Sequence, residues 1–178
     1  MKIKTKQCTY EQVMALPRSP HRKPLKPLFL LQRVVRILAI FDLFPTKFTY
    51  ETHGMEQIGK KEPCLILMNH TCFQDMEVAY RILYPRHFSV IATFDSFVGL
   101  GGLMNWVMRQ IGGIPTQKFV TDLTLISDMQ YCFKELKTSV LMYPEAGYSF
   151  DGTATTLPRK MGVLLKKFDV PVIMVETS

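Results

Sequence analysis

The chain is poor in the features that mark several protein classes. Its four cysteines, Cys8, Cys64, Cys72 and Cys132, form no CxxC pair, and His21, His53, His70 and His87 stand at no ligand spacing from them. That argues against structural zinc and sets a reducing, cytosol-facing location as the expectation. The start MKIKTKQCTYEQ has no apolar run behind its lysines, so a secretory signal is not indicated. Glycine and proline number only 10 and 11, without period, while 12 Phe and 7 Tyr are spread throughout; collagen-like and disordered readings fail. No internal repeat appears.

Acidic charge is missing from one end. Residues 1–36 hold nine Lys/Arg against Glu11 alone, a net +8, whereas the other 142 residues hold 13 basic and 14 acidic side chains. All of the chain's excess, formally +7, is therefore N-terminal. A uniformly basic, nucleic-acid-coating surface is not what this describes, and no nucleic-acid partner is expected. After RSPHRKPLKP comes LFLLQRVVRILAIFDLF, too short and too charged for an easy transmembrane span. At about 100° per residue, Gln32, Arg33, Arg36 and Ala39 fall on one side, and Leu30, Val34, Ile37, Phe41 and Phe44 on the other. Such a helix can lie in a membrane interface, with Arg22, Lys23, Arg33 and Arg36 near anionic head groups and Phe41 among acyl chains. It can equally pack on the protein's own core. Residues 1–46 are read as this basic segment and its helix, and residues 47–178 as a separate domain.

From Phe48 onward, short β-rich runs alternate with helical ones, the pattern of an α/β layer fold. Strands are predicted at Phe48–Thr52, Cys64–Met68, Phe88–Ala92, Ser139–Tyr143 and Pro171–Val175. Helices are predicted at Phe73–Ile82, Leu103–Gln110, Val120–Leu136 and Leu157–Phe168. Continuous apolar runs such as CLILM and SVLMY read as strands buried on both faces, in a mostly parallel or mixed sheet covered by helices.

Three segments could carry chemistry. Asn69-His70-Thr71-Cys72-Phe73-Gln74-Asp75 follows a buried strand, the position where open α/β sheets place ligands. If the chain turns from strand into helix there, Asp75 can hold one nitrogen of His70 and leave the other as a base. The alternatives are that Asp75 caps the next helix or that Cys72 is a nucleophile beside His70. Downstream, a glycine pair and a strand-like piece lead to Lys118, which could meet a phosphate. Tyr143-Pro144-Glu145-Ala146-Gly147-Tyr148-Ser149 ends another buried run with a carboxylate and a turn.

In order and spacing, N-H-x-x-x-x-D, G-x-I-P-x-x-Lys, Y-P-E and V-P-V-I resemble the glycerolipid acyltransferase family that includes 1-acyl-glycerol-3-phosphate acyltransferase, from about residue 48 to 175. The resemblance implies transfer of a fatty acyl group from an acyl thioester, acyl-CoA or acyl carrier protein, to a lysophosphatidic acid-like acceptor. It implies His70 as general base and Asp75 as its orienter, with no cofactor or metal. Gly113, Lys118, Glu145 and Ser149 would belong to the substrate and phosphate site. Membrane lipids would be partners, at the cytoplasmic face of the cell membrane.

Two departures bear on activity. Lys118 stands where the family usually has Arg, and the Pro-Glu block has no arginine, although Arg159 or Lys160 could supply a cation. Family members also continue beyond V-P-V-I, so the domain is expected to be incomplete at its C-terminus. An alternative function is a catalytically silent lipid-binding module of the same fold.

Overall fold

The computed structural model describes residues 9, 11–12, 21–45, 47–72, 74–93, 101–116, 122–145 and 161–177. Helix α1 spans Phe29–Asp42. It is followed by a short 3-10 turn at Met55–Gln57, β1 at Leu65–Met68, α2 at Asp75–Ile82, β2 at Phe88–Thr93 and α3 at Gly101–Gln110. Then come β3 at Gly113–Thr116, α4 at Leu123–Lys134, β4 at Ser139–Met142, α5 at Met161–Phe168 and β5 at Val172–Val175. The five strands form one sheet in the order β3-β2-β4-β1-β5, with every pairing parallel.

The apolar runs explain why the middle of this sheet is closed to water. β1 is buried at all four positions. Ile66 and Met68 pack with Ala79, Tyr80 and Leu83 around α2 on one face. Leu65 and Leu67 pack with Met129, Cys132 and Phe133 of α4 and Phe168 of α5 on the other. A strand sandwiched this way has no polar side, which is why its sequence does not alternate. Asp122 starts α4 by accepting the amide hydrogens of Thr124 and Leu125.

Two predicted elements come out differently. Residues 48–52 form no strand: four of the five side chains are exposed, and β1 already has β4 and β5 as neighbours. This segment instead runs to Gly54, whose φ of +70° turns the chain into the 3-10 turn. The strand-like piece after the glycine pair is a full member of the sheet, at its edge, where Pro115 needs no donor. The predicted helix starts at Val120 and Leu157 fall outside the described residues.

Helix α1 packs with its polar stripe inward. Gln32 is 3% exposed; its amide donates to the carbonyls of Phe88 (2.7 Å) and Ile111 (2.9 Å), and its oxygen meets His87 Nδ1 at 2.7 Å. Ala39 is buried beside it, and α1 lies against α2. Fully hydrogen-bonded Gln32 can be buried at little cost. The apolar side is thereby turned outward: Leu30, Val34, Ile37, Leu38, Phe41 and Phe44 are all exposed. Arg22, Lys23 and Arg33 are exposed too, but Arg36 is half-buried, its guanidinium 3.3 Å from the Tyr84 ring centre. Arg36 lies on the stripe that faces the protein, so its partner is a ring rather than solvent.

Upstream of α1, residues 21–28 lie across α3 and α4. His21 Nε2 sits 3.0 and 3.1 Å from the two carboxylate oxygens of buried Asp128. The Lys23 ammonium lies over Tyr131, and Arg109 donates to the Lys23 carbonyl. Gly112, at φ +96°, is held against this segment: a Cβ there would come within 2.7 Å of Pro27.

Candidate active site

β1 ends at Met68, and its pairing with β5 continues one step further, Asn69 donating its amide hydrogen to the Val175 carbonyl. The chain then turns through residues 70–72 into α2, which opens on Asp75. That turn brings His70 and Asp75 together although a continuous helix would set them apart. His70 Nδ1 lies 2.8 Å from Asp75 Oδ2.

Asp75 is 1% exposed and collects donors. Oδ2 accepts the backbone hydrogens of Thr71 (2.7 Å) and Cys72 (3.0 Å) as well as the imidazole bond. Oδ1 accepts from the Thr71 hydroxyl (3.1 Å) and the Cys72 thiol (3.3 Å). Burial works to raise this carboxyl, but the bonds from His70, Cys72 and Thr71 outweigh it and hold the group below its ordinary value. Asp75 makes no helix-capping bond; it faces back and organises the turn before the helix. An ionised Asp75 accepting from Nδ1 fixes the tautomer, so the neutral ring carries its lone pair on Nε2.

The surroundings of Cys72 do not favour a thiolate. Burial, with the adjacent Asp75, pushes its thiol above the ordinary value, and the thiol serves as a donor to that carboxylate.

β4 supplies the other side of the site. The Tyr143 ring stacks on the His70 imidazole, with centres 4.1 Å apart and planes 20° from parallel. Glu145 Oε2 accepts the His70 backbone hydrogen at 3.4 Å. Of the residues singled out in the sequence, the structure thus brings together His70, Asp75 and Glu145. Gly113 is not with them: it is buried in β3, opposite Val90, with β2 and β4 between it and β1. Lys118, Ser149, Gly147, Arg159 and Lys160 lie outside the described residues.

Three contributors have little signal of their own in the sequence. Tyr143 stands out only as part of the Y-P-E block, and Thr71 only by lying between His70 and Asp75. Thr177, which meets Asn69, Thr71 and Asp75 through hydrogen bonds, carries no sequence signal, because its partners lie more than 100 residues away.

A cavity of about 800 Å3 adjoins the dyad, lined in part by Thr71, Cys72, Asp75, Val78, Ile82 and Ile173, with residues 48–58 as one wall. Its lining passes from the polar turn to the apolar flank of α2. Among the described residues no group of His, Cys, Asp or Glu side chains could hold a metal ion.

A buried carboxylate fixing an imidazole at the carboxyl end of a parallel strand is an arrangement able to take up and pass on a proton, here on an α/β scaffold. The family model for the acyltransferases matches residues 49–176, and the chain belongs to that family. The fold is similar to the crystal structure of the 1-acyl-sn-glycerophosphate acyltransferase PlsC from Thermotoga maritima, with a TM-score of 0.60 and 17% sequence identity. The match covers 80% of this chain and 55% of PlsC, so the chain spans about half the length of that protein. No curated protein sequence matches.

Proposed function

We propose that the protein is a peripheral membrane acyltransferase that moves a fatty acyl group from an acyl thioester to the hydroxyl of 1-acyl-glycerol-3-phosphate or a related lysophospholipid. The observation that carries this reading is the 2.8 Å contact between His70 Nδ1 and a buried Asp75 held ionised by its donors. His70 Nε2 takes the proton of the acceptor hydroxyl as its oxygen attacks the thioester carbonyl. The tetrahedral intermediate collapses, the carbon–sulfur bond breaks, and the imidazolium returns its proton to the departing thiolate. The acceptor is itself the nucleophile and the thioester already has a good leaving group, so no acyl-enzyme is required.

Tyr143 restricts rotation of the His70 ring, and Glu145 holds the backbone that carries it. The cavity beside the dyad is large enough for an acyl chain. Lys118 supplies a cation for the acceptor's phosphate, as a point charge rather than a fork. The membrane assignment rests on α1, whose apolar face is exposed along its length and continues into Phe44. Among the described residues no helix is long and apolar enough to cross a bilayer. The exposed apolar face beside Arg22, Lys23 and Arg33 supports placing α1 in the interface, and the cytoplasmic face is proposed as its side.

The test is transfer from a labelled acyl thioester to lysophosphatidic acid in vesicles, comparing the chain with His70→Ala. Transfer that falls by roughly 100-fold or more in the variant, with unchanged circular dichroism, is expected. Equal activity of the two sinks the base assignment. No transfer from a folded wild type, with vesicle binding retained, favours the silent lipid-binding module.

A further inference from the structure

We propose that Thr177, clamped by Asn69, is a positioning residue for the dyad, setting the hydrogen bonding of Asp75 from the far side of the sheet edge. The inference rests on the reading of His70 and Asp75 as the acid–base pair. The clamp is a two-point amide-to-peptide contact: Asn69 Nδ2 donates to the Thr177 carbonyl at 2.8 Å, and the Thr177 amide donates to Asn69 Oδ1 at 2.8 Å. It extends the β1–β5 pairing past the ends of both strands. In doing so it fixes the direction of the Thr177 hydroxyl.

That hydroxyl lies 3.0 Å from Thr71 Oγ1, 3.1 Å from Asn69 Oδ1 and 3.5 Å from Asp75 Oδ1. Counting hydrogens restricts the arrangement. Asp75 is ionised and can only accept, so Thr71 gives its single hydroxyl hydrogen to Asp75 Oδ1. The Thr177 hydroxyl has one hydrogen and faces Asn69 Oδ1 and Asp75 Oδ1, which only accept, as well as Thr71 Oγ1; on this proposal the hydrogen goes to Thr71, the nearest of the three. The order Thr177 to Thr71 to Asp75 is a chain of aligned donors, each polarising the next. Removing the first hydroxyl weakens the donation to Oδ1 and leaves more of the carboxylate charge directed at His70. A more strongly held imidazolium is a poorer donor to the departing thiolate.

Thr177→Val tests this with little change in shape, because the backbone contacts to Asn69 remain. The expected result is a kcat about tenfold lower, the equivalent of ~1.4 kcal/mol, with KM unchanged. In 15N-histidine NMR the ring-nitrogen signals of His70 move relative to the wild-type chain, while those of His21, His53 and His87 stay in place. Thr177→Ser restores both. The double variant Thr71→Val/Thr177→Val is no worse than Thr71→Val alone, since both act through one chain. A Thr177→Val protein with kcat within twofold of wild type and unmoved His70 ring signals overturns the proposal. So does a variant that only unfolds at lower temperature with those signals unchanged. If the wild type transfers no acyl group, the acyltransferase reading fails separately, and the NMR signals alone decide the positioning role.

Discussion

Replacing Phe41 and Phe44 by serine tests whether α1 is a membrane contact, and the size of the effect follows from exposure. The two side chains are 72% and 84% exposed, so they contribute little to the packed core. Full burial of a phenylalanine side chain is worth about 1.5–3 kcal/mol. Scaling by the exposed fractions gives roughly 1–2.5 kcal/mol for each ring that enters the acyl region, and about 3 kcal/mol for the pair. At about 1.4 kcal/mol per tenfold, the double variant should partition to vesicles roughly 100-fold more weakly. The assay is co-sedimentation with vesicles of mixed phosphatidylcholine and phosphatidylglycerol, over a range of lipid concentration. Thermal unfolding in buffer should change little, since exposed sites typically contribute within about 0.5 kcal/mol. Arg22, Lys23 and Arg33 should add a salt-dependent part, on the order of 1 kcal/mol per charge near an anionic surface. Unchanged partition of the Phe41→Ser/Phe44→Ser protein, at low salt and high, would refute the reasoning.

Asp75→Asn should be less stable than wild type at neutral pH by roughly 1.5–3 kcal/mol, because a carboxylate accepting several hydrogen bonds is lost. The native carboxyl is held below its unfolded value, so this stabilisation is fully present above the ordinary carboxylate range and disappears as pH falls through the lower native value. Urea unfolding across acid pH should therefore show the gap between the two proteins closing from neutral toward strongly acid conditions. Gln32→Leu should lower stability by about 2–4 kcal/mol, as the Phe88 and Ile111 carbonyls and the His87 ring lose that partner. A calorimetric midpoint within 2 °C of wild type, against an expected drop of roughly 5–10 °C, would show that the inward stripe does not hold α1.

Much of the sheet could be read directly. The runs CLILM and SVLMY are almost wholly apolar, Ser139 excepted, because β1 and β4 are covered on both faces, and the His70 and Asp75 spacing carries its own chemical logic. The misread segment 48–52 has the β-branched and aromatic residues of a strand, but a strand also needs a neighbour, which local sequence does not specify. The segment Gly113–Thr116 gave a weak signal for the converse reason: Gly and Pro suit an edge, and edge position is a property of the whole sheet. Periodicity placed Gln32, Arg36 and Ala39 on one side of α1 without saying which side meets the protein. The answer lies in two carbonyls, Phe88 and Ile111, that the helix had to find across more than 50 residues of chain. Thr177 was illegible for the same reason, its role being created by strand pairing.

The packing of α1 on α2 has a kinetic consequence. The helix with the outward apolar face rests against the helix whose first residue is Asp75, and packed helices sit about 8–10 Å apart. If α1 anchors in the interface as proposed, it sets the height of α2, and the imidazole is then held at a fixed distance above the plane of the lipids. Such an enzyme works in two dimensions. Its rate should saturate with the mole fraction of acceptor in the surface, and diluting that acceptor with inert lipid should slow turnover even when its amount per millilitre is unchanged.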